Sequence, residues 1–197
     1  MTNPEIFRPW SGYLMAGVVF LMSTIMSIQT AIQGDLHGTL TAIAWGITAS
    51  ALAYLIFIRP KVTLFDEGIT ITNPFIEITV GWQAVEEIEA RYCMSIAVGE
   101  RQIYAWAAPA PGRYHARTVH ESEIRGLKVG ASNVIRPGES PRTHSGVAIH
   151  LAKLRFEKFH DSPGVQGCKN EVGYNTAGVV VLVTSLCIGL LLNFSHF

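Results

Sequence analysis

The sequence predicts a membrane protein of the α+β class. Apolar helices would span a bilayer, and a β-rich region would fold as a small barrel or sandwich capped by a C-terminal helix. Three observations carry that expectation. The 197-residue chain has three long stretches without Asp, Glu, Lys or Arg: Pro9 to Gly34, Leu36 to Ile58, and Val172 onward. Its charged residues are concentrated between the second and third of these stretches. That middle region alternates apolar and polar side chains with a period of two, the signature of half-buried strands.

The segment "MTNPEIFRPW" opens the chain with one acid and one base. It lacks the basic cluster of a signal peptide, and no small-x-small cleavage site follows a short apolar core. Residues 1–12 therefore read as an N-terminal segment leading into a retained helix. An α-helix needs about 20 apolar residues to cross the hydrocarbon core. The spans fall at Tyr13–Ile32 ("YLMAGVVFLMSTIMSIQTAI") and Thr39–Ile58 ("TLTAIAWGITASALAYLIFI"), paired as a hairpin over 13–58. A third span falls at Thr176–Phe194 ("TAGVVVLVTSLCIGLLLNF"). Buried helices of a soluble core are the competing reading, and three runs of this length and purity weigh against it.

All fifteen Lys and Arg lie either at Arg8 or between Arg59 and Lys169. The positive-inside rule then places the N-terminus and the central region in the cytoplasm and the C-terminal tail outside. The expected location is the cell (inner) membrane, with more than one pass. The region between the second and third runs carries fourteen basic and thirteen acidic residues, a balance that gives no reason to expect nucleic acid. Cys93, Cys168 and Cys187 have no metal or redox spacing, and a cytoplasmic setting disfavours disulfides.

The β region opens with "KVTLF", where Val62 and Leu64 share a face. "DEG" supplies a turn in which Gly68 is free to take positive φ. "ITIT" puts Ile69 and Ile71 together, opposite Thr70 and Thr72. "NP" turns the chain again, and Ile76, Ile78, Val80 and Trp82 alternate with polar residues. The pattern from Glu87 to Val98 is too long for one strand and should break near Tyr92–Met94. "VGER" makes a turn, and "QIYAWAA" gives the last strand. After Pro109 a short helix within "RYHARTVHESEIRGL" is expected, then a loop. A clear helix follows in "SGVAIHLAKLRFEKF", with Ser145 as its N-cap. Val147, Leu151 and Leu154 should form its apolar stripe, flanked by Ala148, Ala152 and Phe159. Residues 59–160 thus form one domain, with 161–175 as a linker to the third span.

Two membrane helices followed by "RP.V.L.DEGITI.NP....V.W..V..I", "AWAAPAPGR" and "SG.AI.LAK.R" resemble the PH-domain membrane proteins of actinobacteria, of the low-molecular-weight protein antigen 6 type. The resemblance covers roughly Phe7 to Phe159. It rests most on Asp66-Glu67-Gly68, Asn73-Pro74, Trp82 and Ala105-Trp106-Ala107-Ala108-Pro109. It implies a PH-like fold of two orthogonal sheets closed by a C-terminal helix. The third span is not part of what the family implies.

Candidate sites are few. The loop "FDEG" stands where many PH domains cradle phosphates, but two carboxylates repel phosphate. Arg59 and Lys61 could attract anionic lipid at about 1 kcal/mol each, or could serve only as flanking positive charges. His115 and His120 are five apart, which does not suit an i, i+4 metal pair, and the other histidines are scattered. Glu86, Glu87 and Glu89 fit a solvated strand face, and no nucleophile motif or phosphate-binding glycine loop is present. No cofactor or metal is expected. The spans carry no charged residue that would mark an ion path. Ala42, Gly46 and Ser50 form a small-residue ridge that suits close helix packing, against the first or third span, in a homo-oligomer, or with a partner protein's helix. Tyr104 and Trp106 lie opposite Ile103 and Ala105, so they are either an exposed binding pair or covered by the loop from Pro109 to His144. The expected function is a non-enzymatic membrane adaptor or scaffold whose domain binds a protein partner. An anionic-lipid-sensing module is the alternative, and an enzyme comes third.

Overall fold

The computed structural model describes residues 2–90, 93–109, 144–160 and 170–195. The chain divides into two compact units. One gathers Met1–Pro9, Pro60–Asn73 and Glu77–Gly173, and the other Trp10–Arg59, Pro74–Ile76 and Tyr174–Phe197. The expected short helix near Glu121 lies outside the described residues.

The second unit is helical. Helix α1 runs Trp10–Ile32. Helix α2 runs Leu36–Ala53 and continues through a π-helical turn at Tyr54–Ile58. A further helix covers Thr176–Phe194. These three are long and apolar enough to cross a membrane. The first two start three residues earlier than the periodicity suggests. Gly12, in the first turn of α1, lies directly against the Phe57 carbonyl, where a Cβ would collide. Gly34 ends α1 with φ +77°, the left-handed conformation that glycine accepts without strain. Hydroxyls inside the helices donate back one turn. Thr24 reaches the Phe20 carbonyl at 2.8 Å, Ser27 reaches Ser23 at 3.0 Å and Thr48 reaches Ala44 at 2.9 Å. Such back-bonding satisfies these three hydroxyl protons within an apolar helix.

The first unit is built on two antiparallel sheets. Strands β1 (Glu5–Phe7), β2 (Lys61–Leu64), β3 (Gly68–Thr72), β4 (Ile76–Gly81) and β8 (Glu171–Tyr174) form a sheet in the order β1-β2-β3-β4-β8. Strands β5 (Glu87–Ala90), β6 (Cys93–Val98) and β7 (Arg101–Pro109) form the other in sequence order. The strand break therefore falls where the pattern is too long for one strand. Both edge strands of the larger sheet come from outside 59–160. One precedes the first span and the other lies in the segment read as a linker.

Val62, Leu64, Ile69, Ile71 and Val80 of one sheet meet Ile88, Met94, Ile96 and Ala105 of the other in a single core. Trp82 is buried in a short 3₁₀ turn, and its indole N–H donates to the Phe65 carbonyl at 2.9 Å. Gly68 has no positive φ. It is the first residue of β3, and a side chain there would strike the Val80 carbonyl of the neighbouring strand. Thr70 and Thr72, on the face opposite Ile69 and Ile71, are buried as well. Thr70 shares a 2.9 Å hydrogen bond with Thr79, and Thr72 donates to Glu77 at 3.0 Å.

Helix α3 (His144–Phe159) closes the core. It begins at His144, so Ser145 is inside the helix and is not its N-cap. Its buried stripe is also rotated from the expected one. Ala148, Ile149 and Ala152 are buried, with Leu151, Phe156 and Phe159 packed beside them, whereas Val147 and Leu154 are exposed. The alanines let the helix approach the sheets closely. Larger residues on that face would hold it off.

A candidate interaction surface on strand β7

Strand β7 is the outer strand of the three-stranded sheet, paired to β6 as Val98↔Arg101, Ala97↔Gln102, Ile96↔Ile103 and Ser95↔Tyr104. The turn between them uses Gly99 at φ +56°. Ile103 and Ala105 turn toward the core. Tyr104 and Trp106 therefore point out, at 45% and 57% exposure. Covering by residues 110–143 lies outside what the structure describes.

The pair is held in place from its backbone. Asn73, at the end of β3, donates from Nδ2 to the Tyr104 carbonyl at 2.8 Å and accepts the Trp106 N–H on Oδ1 at 3.0 Å. One side chain thus supplies both a donor and an acceptor to the strand edge, as a neighbouring strand would. Tyr104 is fixed again at its tip, where its hydroxyl donates to Gln102 Oε1 at 2.7 Å. Gln102 Nε2 in turn donates to Ser95 Oγ at 3.3 Å. Aromatic rings presented on an ordered strand lose little entropy on binding, which favours their use as anchors.

A second polar cluster lies at the β2–β3 turn, and sequence reasoning missed it. Glu67 accepts the Thr2 N–H on both carboxylate oxygens, at 3.0 and 3.1 Å, and the Thr2 hydroxyl at 2.7 Å. These bonds, the hydroxyl first, lower the Glu67 carboxyl to a pKa of about 2. Asp66 accepts Asn3 Nδ2 at 3.0 Å and pairs with Arg155 of α3 at 2.7 Å. Arg155 also reaches Glu5 at 3.4 Å. The acidic turn read as repelling phosphate is a clasp for the first residues of the chain and for α3. The only signal for it in the sequence is the unusual pair of acids at the turn.

The remaining candidates disperse. Arg59 donates from Nη1 to the Pro74 carbonyl at 3.2 Å, within the helical unit. Lys61 is half-buried on β2, opposite Thr72. Gly46 faces α1, where a Cβ would sit 3.4 Å from the Ser23 Cβ and 3.6 Å from Ser27 Oγ, while Ala42 and Ser50 are half-buried. The ridge centred on Gly46 thus has an intrachain neighbour. Burial pushes the Cys93 thiol pKa up, the reverse of what a nucleophile needs. Glu86 and Glu87 are exposed and Glu89 is half-buried. His150 is exposed, and His160 Nδ1 lies 2.9 Å from the Trp82 carbonyl. Among the described residues no three His, Cys, Asp or Glu gather as metal ligands. No protein-family model, curated protein or solved structure matches the chain.

Proposed function

We propose that this is a non-enzymatic, multi-pass inner-membrane protein whose β domain, PH-like as the sequence resemblance implies, faces the cytoplasm and binds a protein partner. It would serve as an adaptor or scaffold at the cell envelope. The observation that carries the reading is the exposed Tyr104–Trp106 pair on a strand whose backbone Asn73 locks. Two further features weigh against the lipid-sensing alternative. Arg59 is already engaged with a backbone carbonyl, and the turn equivalent to a phosphate-binding loop is filled by Asp66, Glu67 and their partners. The step from a PH-like domain to an adaptor is one of analogy with the fold.

Proximity labelling from the full chain in living cells tests the proposal, with Trp106→Ala as the comparison. A discrete set of neighbours lost in the variant, with the variant still folded, is the expected result. An identical set with both chains would remove the aromatic pair as the binding element and return anionic lipid to first place.

A further inference from the structure

The helical unit holds a groove with a chemistry of its own. Helix α2 packs against α1 and also against α4, the helix Thr176–Phe194. Neighbouring residues make the two contacts: Gly46 faces Ser23 of α1, and Trp45 lies over Gly189 of α4. The three helices leave a groove of about 860 Å³ along α2. Ala42, Gly46 and Ala49 give it a floor of small residues, with Val18, Met22 and Met26 of α1 on one side. Those three are 58%, 60% and 58% exposed, so the groove is open. From Asp35 to Ala49 it follows α2 for about 21 Å at the usual helical rise.

The groove is apolar along its length and polar at one mouth, where Asp35, His37 and Asn193 meet. A trough of that form suits an amphiphile, with a tail along α2 and a head at the bilayer surface. Charge selects the head. Asp35 is the only Asp, Glu, Lys or Arg between Pro9 and Ile58, and Val172 onward adds none. Arg59 follows the far end of α2, about 36 Å away. Although Asp35 stands at the N-cap of α2, its side chain makes no capping hydrogen bond. The carboxylate lies over Gly38, where a Cβ would collide with it. At a bilayer surface such a group attracts an ammonium and repels an anionic headgroup. A primary ammonium also donates N–H bonds, which a quaternary one lacks. Asn193 brings a side-chain amide to the same mouth, suited to a phosphate oxygen. A second groove of about 680 Å³ shares Ser23 and Gly46 with the first. It has no charged residue among the described residues that line it, and so makes no such selection.

We infer that the groove along α2 seats one membrane lipid with a primary-amine headgroup, of the phosphatidylethanolamine type. An acyl chain lies over Ala42, Gly46 and Ala49, and the ammonium pairs with Asp35. The inference rests on the reading of the three helices as membrane spans. It is independent of the partner proposed for Tyr104 and Trp106.

The test uses the full chain, purified in detergent and stripped of lipid. It is mixed with equal amounts of phosphatidylethanolamine, phosphatidylcholine and phosphatidylglycerol of identical chains, and bound lipid is counted by native mass spectrometry. One phosphatidylethanolamine per chain should be retained in preference to the other two. Asp35→Asn should lower that retention about three- to tenfold and level it among the headgroups. Ala42→Phe, which fills the trough, should remove the bound lipid. Asp35 is exposed, so its variant keeps the fold and decides the matter if Ala42→Phe does not assemble. Equal retention of the three lipids, a preference unchanged in Asp35→Asn, or lipid undiminished in Ala42→Phe overturns the inference. A lipid-free dimer that Ala42→Phe breaks would assign the groove to a second copy and overturn it as well. Alkaline washing of cell membranes checks the broader reading separately, since release of the native chain would remove the spans themselves.

Discussion

Asn73 stands where a strand neighbour would: it caps the β7 edge with one donor and one acceptor. In the sequence it is only the Asn of an Asn-Pro turn, and nothing local points to a strand some thirty residues away. Asn73→Ala should destabilise the protein by about 1–2 kcal/mol through loss of two surface hydrogen bonds, read by urea unfolding of the detergent-solubilised chain. An unchanged midpoint would mean that these two bonds contribute nothing. Glu67 makes a pH prediction with a definite sign. Its folded pKa of about 2 lies below the ordinary glutamate value of about 4.3. The carboxylate thus contributes stability that is fully present above about pH 5 and is lost as pH falls through 2. The stability gap between the native chain and Glu67→Gln should be constant near neutrality and close in acid. Solvent screening keeps the effect modest. A gap that persists below pH 2 would assign it to something other than ionisation.

At the scale of elements, α3 is the instructive case. Binary pattern locates the helix correctly, because its apolar residues recur at helical spacing. It misjudges which side is buried, because it ranks large aliphatics above alanine. The alanine face faces the core, where close approach brings Phe156 within edge-to-face distance of Trp82, 6.3 Å between ring centroids. Ile149→Ala should therefore cost about 2–5 kcal/mol by leaving a cavity. Leu154→Ala, at a side chain 51% exposed, should shift stability by no more than about 0.5 kcal/mol. The reverse ranking in thermal unfolding would restore the stripe that periodicity suggests. Strand β2 and the first part of β7 follow their alternation closely, β3 is buried on both faces, and β1 and β8 are too short to show one. Each has its pairing supplied by the sheet edge.

At the scale of the whole molecule, the charge asymmetry yields a topological prediction. In a background with Cys93, Cys168 and Cys187 replaced by Ser, an impermeant thiol reagent applied to intact cells should label Ser195→Cys and leave Glu157→Cys untouched. Labelling of the second and not the first would invert the proposed orientation. Trp106→Ala tests function at this scale too, since it should remove neighbours from the proximity set while the unfolding midpoint stays where it was. A lost midpoint would make Trp106 a structural residue.

What the sequence alone determined are the properties set by short windows: three apolar helices, the period-two strands, the break between β5 and β6, and the shared face of Tyr104 and Trp106 opposite Ile103 and Ala105. Each depends on spacing within a few residues, which the one-dimensional pattern preserves. Tertiary structure decided what depends on distant partners. It recruited β1 and β8 to the sheet edges, turned the alanine face of α3 inward, placed Asn73 on β7, and bound Glu67 and Asp66 to Thr2, Asn3 and Arg155. A hydrogen bond between residues 65 or 89 positions apart leaves no periodicity along the chain, so only the fold can bring such donors and acceptors together.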